Sequence, residues 1–296
     1  MKRKTDHLKG TGVAVVTPFQ KSGEIDFDSY EKIISHILHG EIEFVVVLGT
    51  TGEAAALTLE EKKKLVDFSI KRIDGRVPVV IGLGGNVTAD VVHSFSQFLF
   101  SGVDAILSVC PYYNKPNQEG IYQHFKAISE ASPVPVILYN VPGRTSSTIN
   151  ASTCLRLAND CSNIIGIKEA SGNFEQIYSI LKNRPENFLV LSGDDALTLP
   201  LLAVGADGVI SVVANAYPKE FSDMVRFGLS HSFDKALPLH YSLIDFINSL
   251  FIDGSPAGIK AALEIKHLCK NYLRLPLVSV KDEIYNKIKS LVELIG

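Results

Sequence analysis

A primary amine at the end of an apolar run is the group in this chain best suited to covalent chemistry. Lys168 closes the stretch Ile164-Ile165-Gly166-Ile167 and precedes Glu169-Ala170-Ser171-Gly172. An alkylammonium has a reference pKa of ~10.4 and cannot attack a carbonyl. Desolvation at a strand end that brings it to roughly 7.5 leaves about a quarter as free amine at neutral pH. The fold must then supply ~4 kcal/mol against the charged form. The competing reading is a lysine that snorkels from a strand end into solvent. Other reactive types lie at comparable places. Gly49-Thr50-Thr51-Gly52-Glu53 sets hydroxyls and N–H groups on a glycine-flanked turn, a cradle for a small carboxylate. Tyr139 can relay protons during imine formation if neighbouring hydroxyls orient it, and Arg144 offers a planar fork to a second carboxylate. Their plainer alternatives are a ligand-free turn, a tyrosine packed over an opening and a surface salt bridge.

Several other groups carry weaker signals. Asp194 and Asp195 are adjacent carboxylates that point apart with no third ligand in view, so they are expected to cap the following helix. His36 and His39 share a helical face but lack further ligands at zinc spacing. Cys110, Cys154, Cys161 and Cys269 show no C-x-x-C spacing and are read as buried or idle thiols. Gly82-Leu83-Gly84-Gly85-Asn86-Val87 has valine where a dinucleotide loop needs its third glycine, so it is read as a tight strand-to-helix turn. Asn86-Val87-Thr88 and Asn150-Ala151-Ser152 match the glycosylation pattern, which matters only with secretion.

Something must bring the amine, phenols, hydroxyls and guanidinium to one place. Short β-branched runs recur at 12–18, 44–48, 78–82, 104–109, 134–139, 164–168, 188–191 and 207–212, with amphipathic stretches such as 58–73 and 89–100 between them. Eight alternating units predict an α/β fold, a (β/α)8 TIM barrel, over a doubly wound sheet. After Val213 the pattern is helical only, roughly 217–230, 233–251, 256–271 and 280–294, broken at Pro218, Asp253-Gly254-Ser255-Pro256 and Leu275-Pro276. The expected division is a catalytic barrel over 1–230 and a C-terminal helical extension over 231–296, packed on the barrel or on a partner subunit. In such a barrel the active site lies at the carboxyl ends of the strands. Thr50, Tyr113, Tyr139, Lys168 and Asp194 all follow or end a strand-like run.

The chain has 296 residues, 46% of them hydrophobic, and a net charge of −3. It can bury a sizeable core and has no dense Lys/Arg tract, which argues against nucleic acid or an anionic membrane as partner and favours a small molecule. Met1-Lys2-Arg3-Lys4 looks like the start of a signal peptide, but Asp6, His7 and Lys9 interrupt what should follow, and no apolar stretch approaches the ~20 residues of a membrane span. A cytoplasmic location is expected.

The motifs GTTGEAAALT (49–58), PYYNKPNQEG (111–120), YNVPGRT (139–145), IIGIKEASGN (164–173), LSGDDA (191–196) and GVISVVAN (208–215) occur in order and at matching spacing. Together they resemble the dihydrodipicolinate synthase family, whose members are also called 4-hydroxy-tetrahydrodipicolinate synthases. The resemblance covers nearly the whole chain and is strongest from about Gly12 to Asn215. It implies a lyase of lysine and diaminopimelate biosynthesis. Lys168 forms a Schiff base with pyruvate, the enamine condenses with L-aspartate 4-semialdehyde, and cyclisation yields 4-hydroxy-tetrahydrodipicolinate. No metal and no cofactor beyond this covalent imine is implied. Carried over by position, Tyr139 donates and accepts protons, Thr50 and Tyr113 complete its relay, Thr51 holds the pyruvate carboxylate, the backbone at Ile210 contacts pyruvate, and Arg144 binds the semialdehyde carboxylate. Tyr113 reaches into a neighbouring subunit, so a homo-oligomer is implied, a tight dimer commonly paired into a homotetramer. A lysine-effector pocket maps to Ala54, Ala55, Leu59, Lys62, Asn86, Asp90 and Tyr112, with Leu59 and Lys62 where inhibited members have histidines and Asp90 where they have glutamate. The alternative is another pyruvate-dependent aldolase, such as N-acetylneuraminate lyase or a 2-keto-3-deoxy-sugar-acid aldolase; Arg144 in its motif favours a small carboxylated aldehyde over a polyol.

Overall fold

The computed structural model describes residues 5–296; the basic start Met1–Lys4 lies outside them. Short apolar strands alternate with helices that cover them: β1 (Gly10–Ala14), α1 (Phe27–His39), β2 (Phe44–Val47), α2 (Leu59–Ile73), β3 (Val79–Gly82), α3 (Thr88–Ser94), β4 (Ala105–Val109), α4 (Gln118–Ala131), β5 (Val136–Asn140), then the short α5 (Pro142–Thr145) and α6 (Ala151–Asp160). The order continues with β6 (Ile164–Glu169), α7 (Phe174–Asn183), β7 (Leu189–Ser192), α8 (Thr198–Ala203), β8 (Gly208–Ser211) and four further helices, α9 (Pro218–Leu229), α10 (Phe233–Ser249), α11 (Ala257–Ile265) and α12 (Asp282–Ile295). The strands are parallel, pair in sequence order and close by pairing β8 with β1, which establishes the barrel and excludes the doubly wound sheet.

Closure buries both faces of every strand, and this explains the near-continuous apolar runs. Phe44 and Val46 of β2 point into the barrel with Val80, Ile137, Leu189 and Leu191, while Val45, Val47, Val190 and Leu138 pack outward under the helices. Helix starts follow local chemistry. Thr58 and Glu61 form a reciprocal capping box at α2, while Asn117 and Asn173 cap α4 and α7 through their side-chain oxygens.

Three boundaries depart from the sequence reading by more than two residues; one is the end of α3, which stops at Ser94 rather than at 100 and passes into a 3-10 turn at Phe95–Gln97. The first strand spans Gly10–Ala14 rather than 12–18, because the chain leaves the sheet after Ala14: Val16 N donates to Asn215 Oδ1 at 3.2 Å and the Thr17 hydroxyl to Gly52 O at 2.7 Å. Val15 and Val16 therefore stay buried, in the core between barrel and helices, without being strand. Helix α11 stops at Ile265 instead of continuing to 271. His267 takes a left-handed backbone (φ 60°), and the bonds His267 N to Glu264 O and Leu268 N to Leu263 O, both 2.9 Å, end the helix as a Schellman motif. The chain from 266 to 281 then runs irregularly across the carboxyl end of the barrel. Among the described residues no helix is long and apolar enough to cross a membrane.

Candidate active site

Strict alternation along β6 would put Lys168 on the same face as Ile164. The β5–β6 pairing breaks that pattern: Val136 faces Ile164, but Ile137 faces Gly166, so one extra residue is accommodated in β6. Ile164 and Ile167 consequently both pack outward, and Lys168 turns into the barrel. There it is 5% exposed and directly in register with Tyr139 of β5, its Nζ 4.5 Å from the centre of the tyrosine ring. Gly193, just past β7, makes room for it. A Cβ at that position would lie 3.0 Å from Lys168 Cε and 2.6 Å from Ala170 Cβ.

The residues after these two face outward and lock the strand ends. Glu169 is buried; it accepts hydrogen bonds from Asn140 Nδ2 at 3.0 Å, Ser171 N at 2.8 Å and Gln176 Nε2 at 3.0 Å. Asn140 Oδ1 in turn accepts from Ile149 N at 3.0 Å. This carboxylate ties β5, β6 and α7 together directly behind the amine and the phenol. The sequence reading overlooked Asn140 and Glu169, whose signal was present: polar residues inside strands otherwise buried on both sides.

A cavity of about 790 Å³ opens above the barrel and is lined by Lys168, Tyr139, Thr50 and Arg144 together. Arg144 sits on α5 and makes no ion pair among the described residues, so the surface salt bridge considered for it is not what the fold builds. The same cavity extends past Ala54, Ala55, Leu59, Lys62, Asn86, Asp90 and Tyr112. Partial burial holds the Lys62 ammonium below the usual lysine range. Arg274, Leu275, Pro276 and Leu277, from the irregular segment after α11, close the rim; this contribution left no mark in the local sequence pattern.

Three of the expected site residues are not among those that line the cavity. Thr51 is buried, and Ile210 on β8 is buried facing the barrel interior in the same cluster as Tyr139. Tyr113 is 88% exposed, with a left-handed backbone (φ 71°) that turns its ring away from its own cavity. Within one chain, Tyr139 therefore has no hydrogen bond to Thr50 or Tyr113.

Other polar groups resolve into structural parts. Asp194 Oδ1 accepts from Ala196 N and Leu197 N at 2.9 and 3.2 Å, ordering the turn before α8. Asp195 does not share that role, contrary to expectation. It is buried against the end of β8, where Oδ2 accepts from Val212 N and Val213 N at 3.0 and 2.9 Å, and burial pushes its carboxyl up to about 6. His36 and His39 bond to Ala216 O and Ser35 O, and the four cysteines are free and buried. No cluster of three or more His, Cys, Asp or Glu suited to a metal occurs among the described residues.

A buried amine beside a phenol, in a cavity rimmed by an unpaired guanidinium, is suited to imine chemistry on a small carboxylated carbonyl compound. Known proteins point the same way. Residues 7–295 match the Dihydrodipicolinate synthetase family. A relative from Parabacteroides distasonis named 4-hydroxy-tetrahydrodipicolinate synthase is 48% identical over 97% of this chain and 96% of its own. The dihydrodipicolinate synthase of Thermotoga maritima superposes with a TM-score of 0.95, at 38% identity, covering 97% of this chain and 98% of that one. A structure described as a monomeric dihydrodipicolinate synthase variant superposes with a TM-score of 0.96, at 37% identity and 99% coverage of both chains. Barrel, cavity chemistry and full-length similarity agree, and the chain belongs to the dihydrodipicolinate synthetase family.

Proposed function

We infer that this protein condenses pyruvate with L-aspartate 4-semialdehyde to give 4-hydroxy-tetrahydrodipicolinate, an early step towards diaminopimelate and lysine. The observation that carries the reading is the buried Lys168 in register with Tyr139, sharing one cavity with Thr50 and Arg144. The Lys168 amine adds to the keto carbon of pyruvate and expels water to form the imine. Loss of a proton from the methyl group gives the enamine, whose carbon attacks the aldehyde; cyclisation then releases the product and the amine. In this proposal Tyr139 carries the protons, Thr51 and the backbone at Ile210 hold pyruvate, and Arg144 receives the carboxylate of the semialdehyde.

The relay through Thr50 and Tyr113 requires a second subunit, a reading supported by the exposure of Tyr113. A tight dimer, paired into a tetramer, is therefore part of the proposal, as are a cytoplasmic location and the division into a barrel over 1–230 and an extension over 231–296. The effector pocket is proposed at Ala54, Ala55, Leu59, Lys62, Asn86, Asp90 and Tyr112.

Borohydride reduction in the presence of pyruvate should add a reduced imine to Lys168, located by peptide mass mapping, and Lys168→Ala should abolish turnover. Lys168→Arg should fail as well, because a guanidinium remains charged and non-nucleophilic. Modification elsewhere would sink the Schiff-base assignment. A coupled assay with both substrates tests the reaction, and cleavage of N-acetylneuraminate alone would replace it with the aldolase alternative.

A further inference from the structure

The Thr50–Gly52 turn is followed by a buried glutamate. Glu53 is 3% exposed and has a left-handed backbone, φ 52°, which a non-glycine residue keeps only when its surroundings compensate. Its carboxylate has partners far away in the chain. Oε1 accepts from Lys260 Nζ, and Oε2 accepts from the backbone N–H of Arg274 at 3.1 Å. Both side chains of the Glu53–Lys260 pair are wholly buried.

The two basic residues are held in turn. Lys260, on α11, also donates to Tyr272 O at 2.8 Å and lies 4.2 Å from the centre of the Phe19 ring. The Arg274 guanidinium stacks on the same ring at 4.6 Å and donates to Gly23 O at 2.9 Å, Ala56 O at 2.9 Å and the Glu61 carboxylate at 2.8 Å. One carboxylate thus joins the turn that carries Thr50 and Thr51, the helix α11, and the 272–277 segment that closes the cavity rim.

A buried ion pair is a weak way to stabilise a fold, since an apolar pair of similar volume does as well or better. Its distinguishing property is geometric, because a short charge-assisted contact tolerates little displacement. We propose that Glu53 is a positioning residue for the condensation: through Lys260 and Arg274 it sets the Thr50–Thr51 turn against Lys168 and fixes the rim over the second substrate. The inference rests on the function proposed above. Glu53 touches neither substrate in this scheme and acts through the threonines that do.

The test compares the wild-type protein with Glu53→Asp and with the double variant Glu53→Gln/Lys260→Met, which removes both charges at nearly constant volume. Thermal unfolding, pyruvate trapping by borohydride, and kcat and KM for each substrate are measured on the folded enzyme. The double variant should unfold close to the wild-type temperature, yet lose about ten- to a hundred-fold in kcat and show a raised KM for pyruvate, as expected for a displaced binding turn. Glu53→Asp, with its charge on a shorter stem, should fall between the two. Wild-type kcat and KM in a folded double variant would overturn the proposal. Failure of both variants to fold would do so too, since the pair would then serve stability alone. A wild-type protein that traps no pyruvate would instead sink the proposed function, so the two failures read differently.

Discussion

Replacing Glu61 by Gln removes one charge from a contact that clamps the C-terminal segment to the barrel. Glu61 caps α2 by accepting from Thr58 N at 2.9 Å, and it receives both Arg274 terminal nitrogens, at 2.8 and 2.5 Å. Hydrogen bonding to that guanidinium, ahead of the α2 cap, pulls its carboxyl from 4.5 down to about 2. The folded value lies below the unfolded one. The ionised carboxylate therefore adds stability that is fully present above pH 4.5 and is lost as pH falls through about 2. At full weight the difference of about 2.5 between the two values corresponds to ~3.4 kcal/mol. The Glu61 side chain is a quarter exposed, at 25%, and solvent screening reduces this to roughly 1–2 kcal/mol. A chain of 296 residues unfolds with an entropy of about 0.6 kcal/mol/K, so Glu61→Gln should lower the unfolding temperature by about 2–3 °C at pH 7. At pH 3 linkage leaves about two-fifths of the effect, a difference near 1 °C. Circular dichroism melts of both proteins at the two pH values check this. Equal differences at pH 3 and pH 7, or none at pH 7, would refute the account of how Arg274 is held.

Arg144→Ala should still form the pyruvate imine but lose roughly ten- to a hundred-fold in the second-substrate step, the equivalent of a charge-assisted contact of ~1.5–3 kcal/mol; unchanged semialdehyde kinetics would remove Arg144 from the site. Mixing inactive Tyr113→Phe and Lys168→Ala proteins should restore part of the activity, because one site in each hybrid dimer then holds both intact residues. Absence of rescue despite demonstrated subunit exchange would mean that Tyr113 acts within its own chain or not at all. Lysine titrated into the coupled assay at saturating pyruvate should inhibit weakly or not at all. Lys62 lines the cavity, and two ammonium groups ~5 Å apart at an effective dielectric of ~20 repel by about 3 kcal/mol, so strong inhibition below millimolar lysine would contradict the placement of that charge.

Much of the architecture was legible because burial on both faces leaves a mark on composition. Runs such as Phe44–Val47 and Val136–Asn140 are apolar almost throughout, since one face meets the barrel interior and the other the helices. Polar residues at the ends of such runs stand out for the same reason, and Lys168, Tyr139 and the threonines of the Thr50–Gly52 turn were found that way. Less visible were groups whose meaning depends on a distant partner. Glu53 reads locally as a turn residue, yet its partner Lys260 is 207 positions away. Asp195 reads as a helix cap, but the N–H groups it satisfies belong to the end of β8.

The sequence by itself determined the eight alternating units, their order and the reactive residues, because each follows from interactions within a few positions of the chain. Only the tertiary structure decided which way those residues point. Alternation along β6 alone would put Lys168 on the outward face with Ile164; pairing with β5 inserts one residue into the register and turns the amine into the barrel beside Tyr139. The backbone at Tyr113 likewise sends a candidate relay phenol away from its own cavity, and the rim of that cavity is supplied by residues 274–277 from the far end of the chain. Side-chain periodicity is local, whereas strand register and buried charge pairing are set by neighbours that meet only when the chain folds.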